Sequence, residues 1–175
     1  MEKEPVREFI SAEAIGRRIA ELGSAITAGH APAAELVVVC VLKGAFIFAA
    51  DLVRHIGRPI RIEFLRASSY GSRRTSSGEL SLGCGIDFEV AGCHVLVVED
   101  IVDTGLTLSR IVEELRMLAP ASLKICALLD KPSARQVAVD IDYTGFTIPP
   151  LYVVGYGLDD AEMHRELPFI GIPAR

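Results

Sequence analysis

"HVLVVEDIVDTGLTLSRI", residues 94–111, decides the fold and poses the first question about function. Its apolar start is typical of a β-strand buried on both faces, and its end has the periodicity of an amphipathic helix. Three carboxylates, Glu99, Asp100 and Asp103, stand where the strand gives way to the helix. Adjacent like charges repel unless a cation or strong hydrogen-bond donors offset them. The stretch therefore indicates a binding site between a strand and a helix.

The turn after the acids has the composition of a phosphate site. Thr104, Gly105, Leu106 and Thr107 lie at the predicted start of the helix, where backbone N–H groups can converge on an anion. Glycine allows a close approach of the backbone, and the two hydroxyls add donors. The acids a few residues earlier are within reach of sugar hydroxyls. A single ligand, a ribose 5-phosphate unit, satisfies both halves.

Strands and helices alternate along the rest of the chain, which predicts an α/β fold with a mostly parallel twisted sheet flanked by helices. Ligands bind such sheets at the carboxyl ends of the strands. No repeat or linker divides residues 1–175, so we expect one domain. The predicted elements are a helix over 12–28 capped by Ser11, a strand over 35–42, a helix over 44–56, strands over 59–68 and 94–100, a helix over 107–118, and strands over 122–130 and 152–159.

Composition limits the function further. Half of the 175 residues are hydrophobic and 23% are charged, as in a compact globular protein. The net charge of −5 argues against a nucleic-acid partner. No apolar run approaches the roughly 20 residues of a membrane helix, so no membrane partner is expected. Cys40 and Cys126 stand in apolar runs, and the N-terminus does not resemble a secretory signal; we therefore expect a cytoplasmic protein with free thiols.

Two other classes of protein also have acids at the end of a strand, but this sequence matches them less well. A Walker B strand requires a GxxxxGK[ST] loop elsewhere in the chain, and this sequence has none. A receiver domain gathers acids from separate strands around a phospho-acceptor and has no phosphate turn beside them.

The acidic pair, two aliphatic residues, Asp103-Thr104-Gly105 and Thr107 resemble the motif that binds phosphoribosyl diphosphate (PRPP) in type I phosphoribosyltransferases. Enzymes that act on several different bases, and some regulatory proteins, share that motif. Further segments, in the same order as in that family, resemble the hypoxanthine-guanine phosphoribosyltransferases, in particular the short bacterial enzymes. These segments are 41–56, 68–79, 128–132 and 151–171, and the resemblance spans residues 35–172.

The resemblance implies the type I phosphoribosyltransferase fold, with a small hood built from the terminal segments and a base-recognition segment over 150–172. It implies a Mg²⁺-dependent transfer of the phosphoribosyl group from PRPP to hypoxanthine or guanine in purine salvage. It places pyrophosphate on Lys43, Gly44 and Arg165, with a non-proline cis peptide bond before Lys43. The lid is a loop over 68–79 that includes Ser69 and Tyr70.

The resemblance also assigns the metal, the base and the proton transfer. Glu99 and Asp100 hold the ribose or its Mg²⁺, and Asp159 helps to hold a metal. Residues 103–107 (Asp103, Thr104, Gly105, Leu106 and Thr107) bind the 5′-phosphate, and Asp103 is the general base. The purine-binding residues are Lys131, which donates to the 6-oxo group, Tyr152, which stacks on the base, and Val153 and Leu158.

Some alternatives stay open at this stage. A xanthine-guanine enzyme and a PRPP-sensing regulator share much of the pattern, and the sequence does not rank hypoxanthine, guanine and xanthine. Asp160 and His164 stand where the family more usually has aromatic residues. The family implies a homo-oligomer, a dimer or a tetramer, and the apolar helix over 44–56 is either an interface or core.

Overall fold

A five-stranded parallel sheet forms the centre of the protein in a computed structural model that describes residues 5–30, 35–66 and 86–174. The predicted lid over 68–79, with Ser69 and Tyr70, lies outside the described residues. The elements are β1 (Val6–Ile10), α1 (Ala12–Ala28), β2 (Leu36–Leu42), α2 (Phe46–Arg54), β3 (Ile60–Arg66), β4 (His94–Val102), α3 (Leu106–Met117), β5 (Ser122–Asp130), a short 3₁₀ turn (Pro132–Ala134), β6 (Tyr143–Thr147) and β7 (Ile170–Pro173).

The order of the strands places the site. The sheet runs β3-β2-β4-β5-β6, and all neighbouring pairs are parallel. The chain leaves β2 toward one edge to make β3 and then returns to β4 and moves toward the other edge. β2 and β4 are therefore the strands where the direction of winding reverses, and a crevice opens at the carboxyl ends of such a pair. Lys43 follows β2, and Glu99 and Asp100 lie near the end of β4.

Alternate residues of the central strands supply two hydrophobic layers, as a sheet covered on both faces requires. One layer joins Leu36, Val38 and Cys40 to α1 and α2. The other joins Val37 and Val39 to the buried stripe of α3. Ser11 caps α1 as predicted, because its hydroxyl accepts the backbone N–H of Ala14. The predicted α/β fold is thus confirmed.

The predicted strand over 152–159 is wrong. The three residues Gly155, Tyr156 and Gly157 have positive φ values of 94°, 51° and 101°, which no strand adopts. Backbone hydrogen bonds between Gly155 and Leu158, in both directions, close this segment into a tight turn. The Tyr156 hydroxyl donates to the Asp51 carboxylate and so ties the turn to α2. Most of this apolar run is buried, but in a turn rather than in a strand.

The terminal segments form the predicted hood. β1 and β7 pair in an antiparallel two-stranded sheet, and Val154 bridges to Gly171 of β7. The sequence did not predict β1, β6 or β7 as strands, because each is only four or five residues long. The predicted helix over 44–56 is shorter, since residues 43–45 form a turn in which the Phe46 N–H donates to the Lys43 carbonyl.

Edge strand β3 shows an unusual exposure. Ile62 is 42% exposed and Phe64 is 58% exposed, and Phe46 at the start of α2 is 44% exposed. The strand itself is confirmed over Ile60–Arg66, but its apolar face is open to solvent whereas Leu65 is buried. Among the described residues, no helix is long and apolar enough to span a membrane.

Candidate active site

A buried acid, Glu99, and its half-buried neighbour Asp100 form the centre of the candidate site. Glu99 is only 8% exposed, and its Oε1 accepts the backbone N–H of Asp100 at 3.3 Å. The Asp100 carboxylate accepts the Ile101 N–H at 2.8 Å. Burial, and then the charge of Asp100, raises the pKa of Glu99 well above its usual range, and burial raises the pKa of Asp100. Together the two acids favour a cationic partner.

Glycine is required where β2 meets these acids. A Cβ placed on Gly44 would lie 1.6 Å from Oδ2 of Asp100, and a Cβ on Gly157 would lie 2.1 Å from the Gly44 carbonyl oxygen. The peptide bond between Leu42 and Lys43 is cis, as the resemblance implied. Gly44, just after β2, therefore packs directly against the Asp100 carboxylate of β4 and against the turn of residues 155–158. There is no room for a side chain at either contact.

Two of the predicted pyrophosphate residues share one carboxylate. Lys43 Nζ donates to both oxygens of Glu162, each at 3.0 Å, and Arg165 Nη2 lies 3.3 Å from Oε2 of the same residue. Arg165 also pairs with Asp159 at 2.8 Å and donates to the Gly157 carbonyl at 2.7 Å. Lys43, Arg165 and Asp159 are thus brought together from sequence positions far apart. The sequence did not identify Glu162.

Asp103 and Lys131 form a second pair. Lys131 Nζ lies 3.6 Å from Oδ2 of Asp103, and the lysine side chain is only 9% exposed whereas that of the aspartate is 50% exposed. The backbone N–H of Lys131 donates to the Val102 carbonyl, which fixes the lysine beside the end of β4. A buried ammonium therefore lies against an accessible carboxylate.

Backbone hydrogen bonds from the segment that follows the 3₁₀ turn support the turn between β4 and α3, residues 103–107. The Thr104 carbonyl accepts the N–H groups of Gln136 and Val137 at 2.9 and 3.0 Å. Gly105 has φ +83°, and a Cβ there would lie 2.5 Å from the Val137 carbonyl oxygen. Among the described residues, no side chain caps α3 at Gly105, although the Thr104 hydroxyl accepts the Leu106 N–H at 3.4 Å. The predicted phosphate loop is thus a helix start that opens toward solvent, since Leu106 and Thr107 are exposed.

The predicted purine-binding segment is partly exposed and partly buried. Tyr152 is 42% exposed, whereas Val153 and Leu158 are 5% and 7% exposed. The Tyr152 hydroxyl donates to Oδ1 of Asp160 at 3.0 Å and to the Asp159 carbonyl at 3.3 Å. Asp160, noted in the sequence only as a departure from the family pattern, therefore holds the ring that was predicted to stack on the base.

The donor set is compatible with Mg²⁺. Among the described residues, no group of three or more His, Cys, Asp or Glu side chains is arranged to hold a metal ion. Mg²⁺ is commonly bound by one or two carboxylates, with waters and substrate phosphates completing its shell. Glu99 and Asp100 fit that role, because they place two adjacent carboxylates near the end of β4, Glu99 buried and Asp100 half-buried.

The predicted residues fall into two groups around the crevice. One group contains Lys43, Gly44, Asp100, Asp159 and Arg165; the other contains Asp103 and Lys131. Within the described part of the chain, no hydrogen bond or ion pair joins Lys43 or Arg165 to the Asp103–Lys131 pair. Sequence reasoning missed Glu162 and Gly157. The only signal for Glu162 was its spacing, since acids and Arg165 recur every third residue from Asp159.

Comparison with known proteins identifies the class that this fold and site define. The family model for the phosphoribosyl transferase domain matches residues 6–161. The hypoxanthine phosphoribosyltransferase of Haemophilus influenzae is 47% identical over 173 residues, which cover 98% of this chain and 97% of the relative. The hypoxanthine-guanine phosphoribosyltransferase of Mycobacterium avium is 48% identical over 168 residues, covering 93% and 83%.

Solved structures agree with the sequences. A crystal structure of a hypoxanthine-guanine phosphoribosyltransferase from Bacillus anthracis superposes with a TM-score of 0.87 at 41% identity, covering 98% of this chain and 99% of that one. The enzyme of Leishmania tarentolae in complex with GMP gives a TM-score of 0.82 at 36% identity, covering 97% and 96%. The chain belongs to the phosphoribosyltransferase family, among the hypoxanthine-guanine phosphoribosyltransferases.

Proposed function

We propose that the protein is a purine-salvage enzyme that transfers the 5-phosphoribosyl group from PRPP to hypoxanthine or guanine, giving IMP or GMP and pyrophosphate. The observation that carries the proposal is the Asp103–Lys131 pair, a buried ammonium 3.6 Å from an accessible carboxylate beside an open helix start. The near full-length similarity to enzymes of this name supports it, and so does the GMP complex of the Leishmania enzyme.

PRPP binds across the crevice between β2 and β4. Its 5-phosphate lies on residues 103–107, where the N-terminal N–H groups of α3 and the Thr107 hydroxyl donate to it. Its ribose hydroxyls lie against Glu99 and Asp100. Its diphosphate lies on Gly44, Lys43 and Arg165, whose cations offset the charge of the leaving group.

Lys131 and the turn of residues 152–158 select the base. The Lys131 ammonium donates to the 6-oxo group of hypoxanthine or guanine and rejects adenine, whose exocyclic amine is itself a donor at that place. Tyr152 stacks on the purine ring, and Leu158 contributes apolar contact. Val153 makes no backbone hydrogen bond within the described residues, so its N–H and C=O are available to the edge of the base.

The transfer breaks the bond between ribose C1 and the diphosphate oxygen and forms a bond between C1 and a purine ring nitrogen. Asp103 accepts the proton at purine N7, a contribution of general-base catalysis that is typically worth about 10²–10⁴-fold in rate. Glu99 and Asp100, with help from Asp159, would hold Mg²⁺, which would supply electrostatic stabilisation of the diphosphate leaving group.

We also propose a homo-oligomer, a dimer or tetramer, that acts in the cytoplasm. The exposed apolar side chains Phe46, Ile62 and Phe64 support the first point, since large exposed apolar residues on one region favour association. The described cysteines Cys40, Cys93 and Cys126 are free thiols, which persist in a reducing compartment and support the second. Small-molecule substrates, rather than nucleic acid or a membrane, are the proposed partners.

One assay tests the function. Purified protein with PRPP and Mg²⁺ is given hypoxanthine, guanine, xanthine or adenine separately, and nucleotide formation is followed by absorbance. We expect turnover of hypoxanthine or guanine and none of adenine. No product from any 6-oxopurine would overturn the enzymatic proposal, a preference for adenine would overturn the role of Lys131, and a preference for xanthine would replace the proposed substrates.

A further inference from the structure

A single carboxylate holds the two cations that we assign to pyrophosphate. Both Glu162 oxygens accept from Lys43 Nζ at 3.0 Å, and Oε2 also lies 3.3 Å from Arg165 Nη2. The contact between Lys43 and Glu162 joins residues 119 positions apart in sequence. The oxygen atoms of Glu162 therefore occupy the side of both cations that a bound anion would use.

The backbone presents this carboxylate in a fixed place. Ala161 and Glu162 have positive φ values of 48° and 67°, which place both in the left-handed region that few residues other than glycine adopt. The Glu162 N–H donates to Oδ2 of Asp159 at 2.9 Å. Two backbone hydrogen bonds between Asp160 and Met163 close the same turn. The turn directs Glu162 to the cations independently of any ligand.

The contact is also easy to exchange. The side chains of Lys43 and Glu162 are 58% and 65% exposed, so each can be resolvated as the pair opens. Exposed ion pairs of this kind are weak, because water and salt screen them. Arg165 by contrast is anchored by the Gly157 carbonyl and Asp159.

We infer that Glu162 is an internal competitor for the diphosphate group: it occupies Lys43 and Arg165 when the subsite is empty and is displaced when PRPP or pyrophosphate binds. The inference rests on the proposed function for the assignment of the subsite. Binding is then an exchange of one anion for another, and the return of Glu162 helps pyrophosphate to leave. Glu162 acts through the two cations and takes no part in the chemical step.

The test is Glu162→Gln, which keeps the shape of the side chain and removes its charge. We expect the affinity for inorganic pyrophosphate with Mg²⁺, measured by calorimetry, to rise about two- to fivefold, the range that an exposed ion pair typically supplies. The KM for PRPP should fall by a similar factor, and kcat should stay the same or fall if pyrophosphate release limits turnover. Unchanged or weaker pyrophosphate binding would overturn the inference.

The matched control is Glu13→Gln. Glu13 is also an exposed carboxylate, and it pairs with Arg17 on α1. Its substitution changes the net charge by the same amount. We expect no change in pyrophosphate affinity. If this variant bound pyrophosphate as tightly as Glu162→Gln, the effect would be one of overall charge, and the assigned role of Glu162 would be wrong.

A double-mutant cycle isolates the pair. In a Lys43→Met background the charge of Glu162 has lost its main partner, so Glu162→Gln should raise pyrophosphate affinity by a smaller factor than in the unmodified protein. An equal factor in both backgrounds would contradict the exchange at Lys43. The binding measurements do not depend on turnover: a protein inactive on every purine would sink the proposed function, whereas an active protein with no response at Glu162 would sink this inference alone.

Discussion

Both ends of the parallel sheet contain polar groups, but the surroundings of those groups differ between the two ends. At the amino end, His94 Nδ1 lies 2.6 Å from the Ser122 hydroxyl, and Lys124 Nζ donates to the Gly29 carbonyl and the Tyr143 hydroxyl. At the carboxyl end, buried Glu99 and half-buried Asp100 lie beside each other, and their pKa values are raised. His94 and Lys124 are satisfied within the chain, whereas the acids of the carboxyl end favour a partner that the described residues do not supply.

The difference teaches how to separate structural polar groups from functional ones. His94 and Lys124 have neutral or complementary neighbours, so their removal should affect stability alone. The acids at the carboxyl end destabilise the ligand-free protein. Such groups are retained where a bound ligand or metal offsets that loss of stability. Lys43 and Arg165 show the intermediate case, since Glu162 provides a partner that a ligand can replace.

The largest effect is expected at Asp103. Asp103→Asn keeps the shape of the side chain but removes the base, so kcat for hypoxanthine should fall by about 10²–10⁴-fold. PRPP binding, measured by calorimetry, should stay close to that of the unmodified protein. Near-normal turnover would show that Asp103 is not the general base. The contrast between the two ends of the sheet would then lose its main support.

Gly44→Ala tests the packing of backbone against carboxylate. The new Cβ would lie 1.6 Å from Oδ2 of Asp100, so the carboxylate must move. A displacement of about 1 Å in a reacting site can lower the rate by about 10²-fold, and we expect a loss of that order in kcat/KM. The control is Gly16→Ala on α1, where a Cβ meets nothing within 4 Å. This change should leave activity intact and raise the free energy of unfolding by about 0.5–1 kcal/mol.

Glu99→Gln tests the contrast between the two ends of the sheet through its effect on the free energy of unfolding. The amide removes a buried acid whose charged form the fold disfavours. We therefore expect the free energy of unfolding of the ligand-free protein, measured in urea at neutral pH, to rise by about 1–2 kcal/mol. Activity should fall if Glu99 has the role proposed for it, in binding the ribose and Mg²⁺. A loss of both stability and activity would indicate that Glu99 holds the empty fold together, like the groups at the amino end.

The smallest effect is expected at His30, at the amino end. Its Nδ1 lies 2.8 Å from the Ile26 carbonyl, and its Nε2 is buried without a partner among the described residues. Burial, which outweighs the opposing effect of the Ile26 carbonyl, lowers the pKa of His30 below 6.5, and the charges of Lys124, Arg58 and His94 add to that. The unfolded chain thus binds a proton that the folded chain resists, and stability should decrease as the pH falls below 6.5.

Urea unfolding at about pH 7.5 and about pH 5.5 measures this dependence, which we expect to be below about 1 kcal/mol. His30→Gln should reduce the difference in stability between the two conditions. His55→Gln, at the exposed end of α2, is the control and should leave that difference unchanged. An identical pH dependence in the His30 variant and the unmodified protein would show that His30 does not cause it.

Much of the fold followed from local patterns. The helix after Ser11, the apolar strands β2, β4 and β5, and the strand–turn–helix around Asp103 are all encoded by periodicity, capping and burial within about ten residues. Short strands gave no such signal, and the turn at Tyr156 was mistaken for a strand because an apolar run predicts burial better than it predicts conformation.

The sequence by itself determined the class of fold, the acids and turn of residues 99–107, and the family that they resemble. The tertiary structure alone decided that Gly44 packs on Asp100, that Asp160 holds Tyr152, and that Glu162 bridges Lys43 and Arg165. The physical reason is range. Periodicity and capping act between residues a few positions apart, whereas the contacts of Gly44 with Asp100 and of Lys43 with Glu162 join segments far apart in sequence that the parallel sheet brings together. The Tyr152–Asp160 and Glu162–Arg165 contacts are closer in sequence, but they depend on irregular turns with positive φ values, which no periodic pattern encodes.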